Sequence, residues 1–436
     1  GYGFLSENPV FAKEVVEAGL IFIGPSPDSM SLAGDKAEAK RIASEIGVST
    51  LPWTIVKDPN DIIEFGKTHG YPILLKAVGG GGGMGIRIVR NKAEAERLFE
   101  QASKEAENAF GDKRLYVEKF LENPKHIEVQ ILGDGEKVIH LYERDCSIQR
   151  RHQKLIEEAP APTISPEERY RITSDAVKLM EHIGYRNAGT VEMLYDPKTG
   201  KHYFMEINAR LQVEHPVTEM ITGIDIVKEQ IHIAMEGYTR LKQEDIRIYG
   251  HAIEARVNAE NPVSMLPSPG TVLDYLEPNG PGIRVDSGIN KGYNIPGEYN
   301  PLLAKVIAWA PNRREAIGRL IRALNEFTIT GVDTNILLLK HILAHPVFQK
   351  GIHTTRFIEE QFNVLKQKMK DDEILHAIAI AVISLKSTNG FRAMIKKGPS
   401  LTYVDKNTHR IQTLKRRAWA YWSLLKTRVR RGKRKR

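Results

Sequence analysis

Two stretches near the middle of the chain set carboxylates where an apolar fold would not leave them. Thr190-Val191-Glu192-Met193-Leu194-Tyr195 alternates, and so does His202-Tyr203-Phe204-Met205-Glu206-Ile207-Asn208. Between them Asp196-Pro197-Lys198-Thr199-Gly200 supplies a turn, with Pro to fix φ and Gly to take positive φ. The unit reads as a β-hairpin. Folded about Lys198-Thr199, it sets Glu192 opposite Glu206, and Asn208 shares their face because side chains two apart point the same way. Like charges directly across an antiparallel pair destabilise it. Two carboxylates and an amide carbonyl on one face are instead a hard, oxygen-only ligand set for Mg²⁺. The plainer alternative is a solvated face that carries two unrelated carboxylates.

The residues that follow narrow the choice. Glu206-Ile207-Asn208 running into Arg210-Leu211-Gln212-Val213-Glu214-His215-Pro216-Val217-Thr218-Glu219 closely resembles the active-site stretch of biotin carboxylase, a member of the ATP-grasp superfamily. Three further stretches join the resemblance: Gly1-Tyr2-Gly3-Phe4-Leu5-Ser6-Glu7-Asn8, the glycine run Gly79 to Gly83, and Arg144-Asp145-Cys146-Ser147-Ile148-Gln149-Arg150-Arg151-His152-Gln153-Lys154. It extends from Gly1 to about Gln361. In that family the first motif lies late in an N-terminal α/β domain, so the chain is expected to lack the first strands and helices of that domain.

Bulk properties agree with a large enzyme. At 436 residues the chain has room for two or three domains. Its 41% apolar and 27% charged residues are an ordinary soluble composition. The longest apolar run, Ile374 to Leu385, contains His376 and is too short to span a bilayer. No targeting signal precedes the first motif. The single cysteine, Cys146, excludes an intrachain disulfide and suits a reducing compartment, so a cytoplasmic location is expected. The formal net charge is +9, yet Lys406 to Arg436 alone holds thirteen Lys or Arg and no acid, which leaves a net of −4 for everything before Lys406. The basic character belongs to a tail, and a nucleic-acid footprint across the body is not supported.

The fold class expected is multidomain α/β and α+β. Residues 1–33 form the remnant of the N-terminal domain. An ATP-grasp domain covers 34–237, with a mobile lid at about 48–120. A strand-rich C-terminal domain covers 250–361, and a basic helical extension covers 362–436. Local patterns give helices over Pro9 to Leu20, Asp35 to Ile46, Lys92 to Ala109, Pro166 to Ile183, Ile224 to Met235, Arg313 to Phe327 and Thr334 to Ala344. They give a buried strand at Ile21-Phe22-Ile23, and further strands at Tyr71 to Val78, Ile86 to Val89, Leu115 to Glu118, His126 to Leu132 and Val138 to Asp145.

The glycine run lies between two strands, which is not the loop-to-helix arrangement of a Walker P-loop. A glycine-rich hairpin still lets backbone N–H groups approach phosphates, because no Cβ intervenes. The resemblance implies that Gly80, Gly81, Gly82 and Gly83 close over ATP, although Met84 stands where the family commonly has Arg or Lys. It implies phosphate contacts for Lys36 and Lys76, the adenine edge at Glu118 and Leu121, and ribose or phosphate contacts for His126, Gln149 and His152. It implies Mg²⁺ (or Mn²⁺) held by Glu192, Glu206 and Asn208. Glu214 is the implied general base for bicarbonate, with Arg210, Lys154, Gln212 and the backbone of Val213 binding that anion. Arg256 matches the arginine that stabilises the biotin ureido oxyanion, and Tyr2 a residue near biotin. The bland reading of each lone Lys or His is a solvated or packed side chain, and of Arg256 a salt bridge with Glu254 or Glu260. Cys146 reads as a packed residue, since no neighbour activates it as a nucleophile.

The reaction implied is ATP- and bicarbonate-dependent carboxylation of biotin through carboxyphosphate. Ala393-Met394-Ile395-Lys396 resembles an Ala-Met-Lys-Met biotinylation motif, but its lysine is displaced by one and no second Met follows. Separate polypeptides are therefore expected for the biotin carboxyl carrier protein and for the carboxyltransferase subunit, in an acetyl-CoA or propionyl-CoA carboxylase, with the chain itself a homo-oligomer. The alternatives are the biotin carboxylase component of a pyruvate carboxylase, another ATP-grasp ligase such as a carbamoyl-phosphate synthetase, or an inactive scaffold whose working part is the tail. In that tail Leu414, Trp419, Trp422 and Leu425 fit one helical face between basic clusters, as a partner-binding or surface-binding helix would.

Overall fold

The computed structural model describes residues 3, 5–79, 86–151 and 153–386. Tyr2, Gly80 to Gly83, Met84, His152, Lys396 and the basic tail beyond 386 lie outside the described residues. Numbered along the chain, the helices are α1 Pro9–Glu17, α2 Pro27–Gly34, α3 Lys36–Glu45, α4 Pro59–His69, α5 Ala95–Phe110, α6 Pro166–His182, α7 His215–Thr222, α8 Ile226–Glu236, α9 Arg313–Glu326, α10 Ile336–Leu343, α11 Pro346–Gln349 and α12 Phe357–Lys386. The strands are β1 Trp53–Val56, β2 Ile73–Ala77, β3 Arg87–Val89, β4 Leu115–Lys119, β5 Lys125–Asp134, β6 Val138–Arg150, β7 Gln153–Ala159, β8 Arg186–Asp196, β9 Lys201–Asn208, β10 His251–Asn258, β11 Gly270–Thr271, β12 Asp274–Leu276, β13 Ile283–Ser287, β14 Asn294–Ile295, β15 Leu302–Ala310 and β16 Thr328–Thr330.

The chain divides into two compact units, 1–360 and 361–436. What is described of the second is helical, the later part of α12. No helix among the described residues is long and apolar enough to cross a membrane.

Within the first unit, β1-β4-β2-β3 make a small antiparallel sheet. Ile73 and Leu75 of β2 and Leu115 and Val117 of β4 point to one side, against Ile62 and Phe65 of α4 and Leu98 and Ala102 of α5. That alternation leaves Lys76 and Glu118 on the opposite side. The second sheet has eight strands in the order β13-β15-β10-β7-β6-β5-β8-β9, antiparallel throughout. Strand β10 pairs with β7, so one continuous sheet carries the middle of the chain and its strand-rich later part.

The two faces of that sheet differ in kind. Ile127, Val129, Ile131, Val191 and Met193 face α6 and α3, packing with Ile172, Ala176, Leu179, Ile42 and Ala43 in the main core. Their neighbours His126, Glu128, Gln130, Thr190 and Glu192 point the other way and are nevertheless buried. Helix α6 starts on a capping box, in which Ser165 accepts from the Glu168 N–H and Glu168 accepts from the Ser165 N–H. Asp35 caps α3 by accepting from the N–H groups of Ala37 and Glu38, and this aims Lys36 and Lys40 at the sheets.

The N-terminal segment departs from its reading. Ile21-Phe22-Ile23 is not a strand, and Ile21 and Ile23 are exposed. No described strand lies beside it, and an isolated three-residue run has no ladder to complete its backbone hydrogen bonds. Helix α2, unread in the sequence, follows at once. Ser26 caps it with Pro27 at its first turn, and its Met30 and Ala33 enter the main core.

Candidate active site

The carboxylate hairpin forms with the anticipated partners but not by a regular register: counted from the Lys198-Thr199 turn Glu192 would meet Met205, and a bulge between Glu192 and Met193 shifts the ladder by one residue. Glu192 lies opposite Glu206, and Thr190 opposite Asn208. Gly200 closes the turn at φ +67°. The amide of Asn208 donates to Glu192 Oε1 at 2.9 Å, and the amide of Gln212 donates to the same oxygen at 3.0 Å. Glu206 is held elsewhere: Lys36 donates to its Oε2. Burial alone would lower Lys36, but Glu206 and then Glu192 raise it, so it stays charged.

Lys154 of β7 is the cation at the centre. Its Nζ donates to Glu128, to Glu192 at 3.1 Å and to Glu214 at 2.5 Å. Burial works against that charge, but Glu128, Glu192 and Glu214 outweigh it and raise the lysine well above its ordinary value. The carboxylates answer in kind. Burial would raise Glu192, yet Lys154 and His126 bring it down to about 2. Glu214 is likewise lowered against burial by Lys154, with Arg256 and Arg144 assisting. His126 places Nε2 at 3.1 Å from Glu128 and 3.2 Å from Glu192, and these carboxylates push it up to about 9 against burial. Its Nδ1 is 2.9 Å from the amide nitrogen of Gln149. Among the described residues, His126, Glu128 and Glu192 are a group whose ligand atoms converge within 4.8 Å, and Glu128, Cys146 and Glu214 are another.

Two residues of this cluster were not picked out in the sequence. Arg144 of β6 is fully buried and donates to Glu128, Gln130, Thr218 and Gln212, the last at 2.9 Å. It thereby ties the loop before α7 to the sheet. Glu128 lies between Arg144 and Lys154. The signal was present in the alternation His126-Ile127-Glu128-Val129-Gln130, which puts three polar side chains on the face that carries Glu192.

The loop from Ala209 to Glu214 is clamped at several points. Arg210 donates to Asn208 Oδ1 at 3.0 Å and to Glu7 at 2.7 Å, and Glu7 also accepts from the Ala209 N–H. The carbonyl of Val213 accepts from Lys305 at 2.9 Å. His215 Nδ1 is 2.7 Å from the carbonyl of Gln212, so that nitrogen carries the proton. Arg256 of β10 donates to Glu214 Oε2 at 2.8 Å and to Glu157 at 2.6 Å. It is bound to Glu157 and Glu214, and not to Glu254 or Glu260; Glu260 pairs with Arg150.

Lys76 and Glu118 meet on the inner side of the small sheet. Glu118 is fully buried, with Lys76 at 2.8 Å and Lys40 at 2.6 Å. Leu121 is half-buried in the link from β4 to β5. The structure thus gathers Lys154, Glu192, Asn208, Arg210, Gln212, Val213, Glu214, His126, Gln149 and Arg256 in one bonded network, sets Lys36 with Glu206 at its edge, and joins Lys76 to Glu118 on the small sheet. Cys146 is buried and reduced beneath that network, where burial and then Glu128 push its thiol up, which keeps it unreactive.

Comparison with known proteins follows the same division. The chain matches the biotin carboxylase N-terminal domain over residues 1–30, the ATP-binding domain of the carbamoyl-phosphate synthase L chain over 35–242, and the biotin carboxylase C-terminal domain over 254–360. A pyruvate carboxylase subunit of Methanothermobacter thermautotrophicus is 45% identical over 404 residues, which cover 91% of this chain and 82% of that one. The biotin carboxylase of a Nostoc species is 48% identical, over 83% of this chain and 81% of its own. Among solved structures, the biotin carboxylase domain dimer of Hydrogenobacter thermophilus 2-oxoglutarate carboxylase, in complex with MgADP, ADP and bicarbonate, superposes with a TM-score of 0.81 at 50% identity over 84% of this chain and 81% of that one. Fold and site together define an ATP-grasp protein, an ATP-dependent ligase. The chain belongs to the biotin carboxylase family.

Proposed function

We propose that this chain carboxylates biotin borne on a separate carrier protein, with ATP and bicarbonate as co-substrates, as one component of a multisubunit carboxylase. The observation that carries the reading is Glu214 bound at once to Lys154 and Arg256. A buried carboxylate kept ionised between two cations offers a base and an anion site at one point.

Glu192, Glu206 and Asn208 fit a hard divalent cation by their chemistry, since they offer two carboxylates and an amide oxygen from adjacent strands. Magnesium or manganese held there would neutralise charge on the phosphate oxygens of ATP. Lys36 and Lys76 contact those phosphates, Gly80 to Gly83 cover them, and residues of about 48–120 act as the lid. Glu118 and Leu121 receive the adenine edge, and His126, Gln149 and His152 line the ribose and phosphates. Arg210, Lys154, Gln212 and the backbone N–H of Val213 bind bicarbonate. Its carbon is a poor electrophile, so it is first activated. Glu214 removes the proton as a bicarbonate oxygen attacks the γ-phosphorus, the bond to the ADP oxygen breaks, and carboxyphosphate forms. Carboxyphosphate separates into CO₂ and phosphate. Phosphate takes the proton from the biotin ureido nitrogen, Arg256 stabilises the resulting oxyanion, Tyr2 lies against biotin, and the nitrogen attacks CO₂.

The domains read as 1–33, 34–237, 250–361 and 362–436, with the chain a homo-oligomer. A cytoplasmic location rests on the single, free Cys146. The test is ATP cleavage measured with and without bicarbonate and free biotin. Dependence on bicarbonate and acceleration by biotin are expected. ATP cleavage that ignores biotin but yields carbamoyl phosphate would assign the chain to another ATP-grasp reaction, and none at all would make it a scaffold.

The acceptor is set by the carboxyltransferase. Acetyl-CoA or propionyl-CoA is the first reading. Pyruvate or another 2-oxo acid is the second, favoured by one observation. The matches to the Methanothermobacter pyruvate carboxylase protein and to the 2-oxoglutarate carboxylase small subunit of Hydrogenobacter thermophilus run over 404 and 387 residues, farther than the 364 of the Nostoc biotin carboxylase. Reconstitution with each class of carboxyltransferase and its acceptor decides between them.

A further inference from the structure

Glu157 of β7 and Glu254 of β10 stand directly opposite each other in their antiparallel ladder, and both are fully buried. Neither oxygen of Glu254, nor Oε2 of Glu157, meets a hydrogen-bond partner among the described residues. Oε1 of Glu157 is fully used: it accepts from Arg256 Nε at 2.6 Å and lies 2.5 Å from a terminal nitrogen of the same guanidinium. Beside the pair, Ala159, Ala252, Val217, Ile221 and Ile307 form an apolar cluster that keeps water away.

Two ionised carboxylates cannot share such a place, since they lose hydration and repel. One proton on the pair removes the repulsion and provides the donor that the orphaned oxygens lack. Burial, then the charge of Glu157, raises Glu254 well above the carboxylate range. Burial also pushes Glu157 up, Arg256 pulls it back and Glu214 pushes it again, to about 7. The charged and titratable groups around the pair are Lys154 on β7, Cys146 on β6, Glu214 before α7, Arg256 on β10 and Lys305 on β15. Lys305 is itself paired with Asp286 of β13 and neighboured by His215 of α7.

We propose that Glu157 is the positioning residue for Arg256, with Glu254 opposite holding the proton that lets the Glu157 carboxylate stay charged and keep the guanidinium fixed beside Glu214. The inference rests on the proposed role of Arg256 toward the biotin ureido oxygen. It also fixes a sign. As pH falls through about 7, Glu157 takes up a proton, its hold on Arg256 weakens, and use of biotin declines. Bicarbonate-dependent ATP cleavage, which does not need Arg256 at the ureido oxygen, is not expected to follow that limb.

The experiment uses the full chain with free biotin, over about pH 6 to about pH 9. Glu157→Gln is expected to raise the KM for biotin about tenfold, the scale of a lost charge-assisted bond. It should abolish the acid limb near pH 7 and leave biotin-independent ATP cleavage within about twofold. Glu254→Gln keeps a donor opposite Glu157 and should leave the KM for biotin within about twofold. If Glu157→Gln does not fold, Glu157→Asp, which keeps the charge but draws it back by one methylene, must raise the KM while the acid limb persists. Equal losses in both activities, or an unchanged acid limb in Glu157→Gln, would make Glu157 a strut and overturn the proposal. A tenfold rise in KM in Glu254→Gln would overturn the proton-holding account. Arg256→Ala separates the two levels. An unchanged KM for biotin there removes the role of Arg256 itself, whereas a raised KM there with normal behaviour in Glu157→Gln removes only the positioning.

Discussion

Glu192 and Glu206 face each other across the β8–β9 ladder, yet each carboxylate is engaged by a different lysine, Glu192 by Lys154 at 3.1 Å and Glu206 by Lys36. Like charges on directly opposed positions are thus tolerated because each has its own counter-charge. The two are not equivalent. The Glu192 side chain is 5% exposed and that of Glu206 is 21% exposed, so removal of the Glu206 charge disturbs the fold less than removal of the Glu192 charge.

This difference makes Glu206→Gln a clean probe. ATP cleavage should fall by about 10²-fold or more, the scale of a lost electrostatic stabiliser. The unfolding free energy should change by less than about 1 kcal/mol, as for a partly exposed ion pair. Turnover at saturating Mg²⁺ beside a denaturant titration reads both. A wild-type rate in this variant would remove Glu206 from the metal set.

Arg144 tests the opposite case. It is wholly buried and bonds Glu128, Gln130, Thr218 and Gln212. Arg144→Met leaves Glu128 with only Lys154 and His126 as counter-charges and takes the donor from the buried amide oxygens of Gln130 and Gln212, so a loss of about 3–5 kcal/mol is expected. Because Gln212 also loses its donor, bicarbonate should bind more weakly even where the variant folds. A shift under about 1 kcal/mol in the unfolding titration would mean that the network contributes little.

What was legible in the sequence was local. The turn Asp196 to Gly200 and the period-two alternation on either side announce the β8–β9 hairpin, but the opposition of Glu192 to Glu206 also needs the one-residue bulge between Glu192 and Met193, which no local pattern shows. The residues Arg210 to Glu219 read clearly because they are contiguous. What escaped was either buried charge or long-range pairing. Arg144, Glu128 and Lys40 look like solvated residues in isolation, and only the strands and helices brought against them bury them. The Glu157–Arg256 bond joins residues of β7 and β10, whose pairing no local pattern announces. Ile21-Phe22-Ile23 failed for the reverse reason: an apolar run makes a strand only where another strand lies beside it.

Glu118 gives a pH dependence with a definite sign. Burial would raise it, but Lys40 and Lys76 bring it down to about 2. Lys40 is nonetheless lowered, since burial and the charges of Lys76 and Lys36 outweigh its share of one carboxylate. The stabilisation therefore belongs to Glu118. It is fully present above the ordinary carboxylate value of 4.5 and fades as pH falls toward about 2. Taken from that span, it is about 3 kcal/mol. Wild-type stability should drop over this window more steeply, by about one proton, than that of Glu118→Gln, which starts lower because it leaves two buried lysines unneutralised. Parallel curves would show that Glu118 titrates normally.

In the proposed mechanism Glu214 is where base and anion site coincide. Its Oε1 accepts from Lys154 at 2.5 Å and its Oε2 from Arg256 at 2.8 Å. The same cations lower it, so it is ionised at neutral pH and ready to take a proton. Glu214→Gln keeps the shape and an acceptor oxygen but removes the basicity. Lys154 still has Glu128 and Glu192, and Arg256 still has Glu157, so neither cation is stranded. The fold and the nucleotide site should therefore persist, while bicarbonate-dependent ATP cleavage falls by about 10²-fold or more, the usual scale for a general base. Calorimetric titration with nucleotide, run beside turnover, separates the two. Weakened nucleotide binding with chemistry intact would make Glu214 a structural anchor for the loop before α7. A loss of turnover with binding unchanged, recovered in part as the pH is raised and bicarbonate gives up its proton to solvent, is the pattern a base produces.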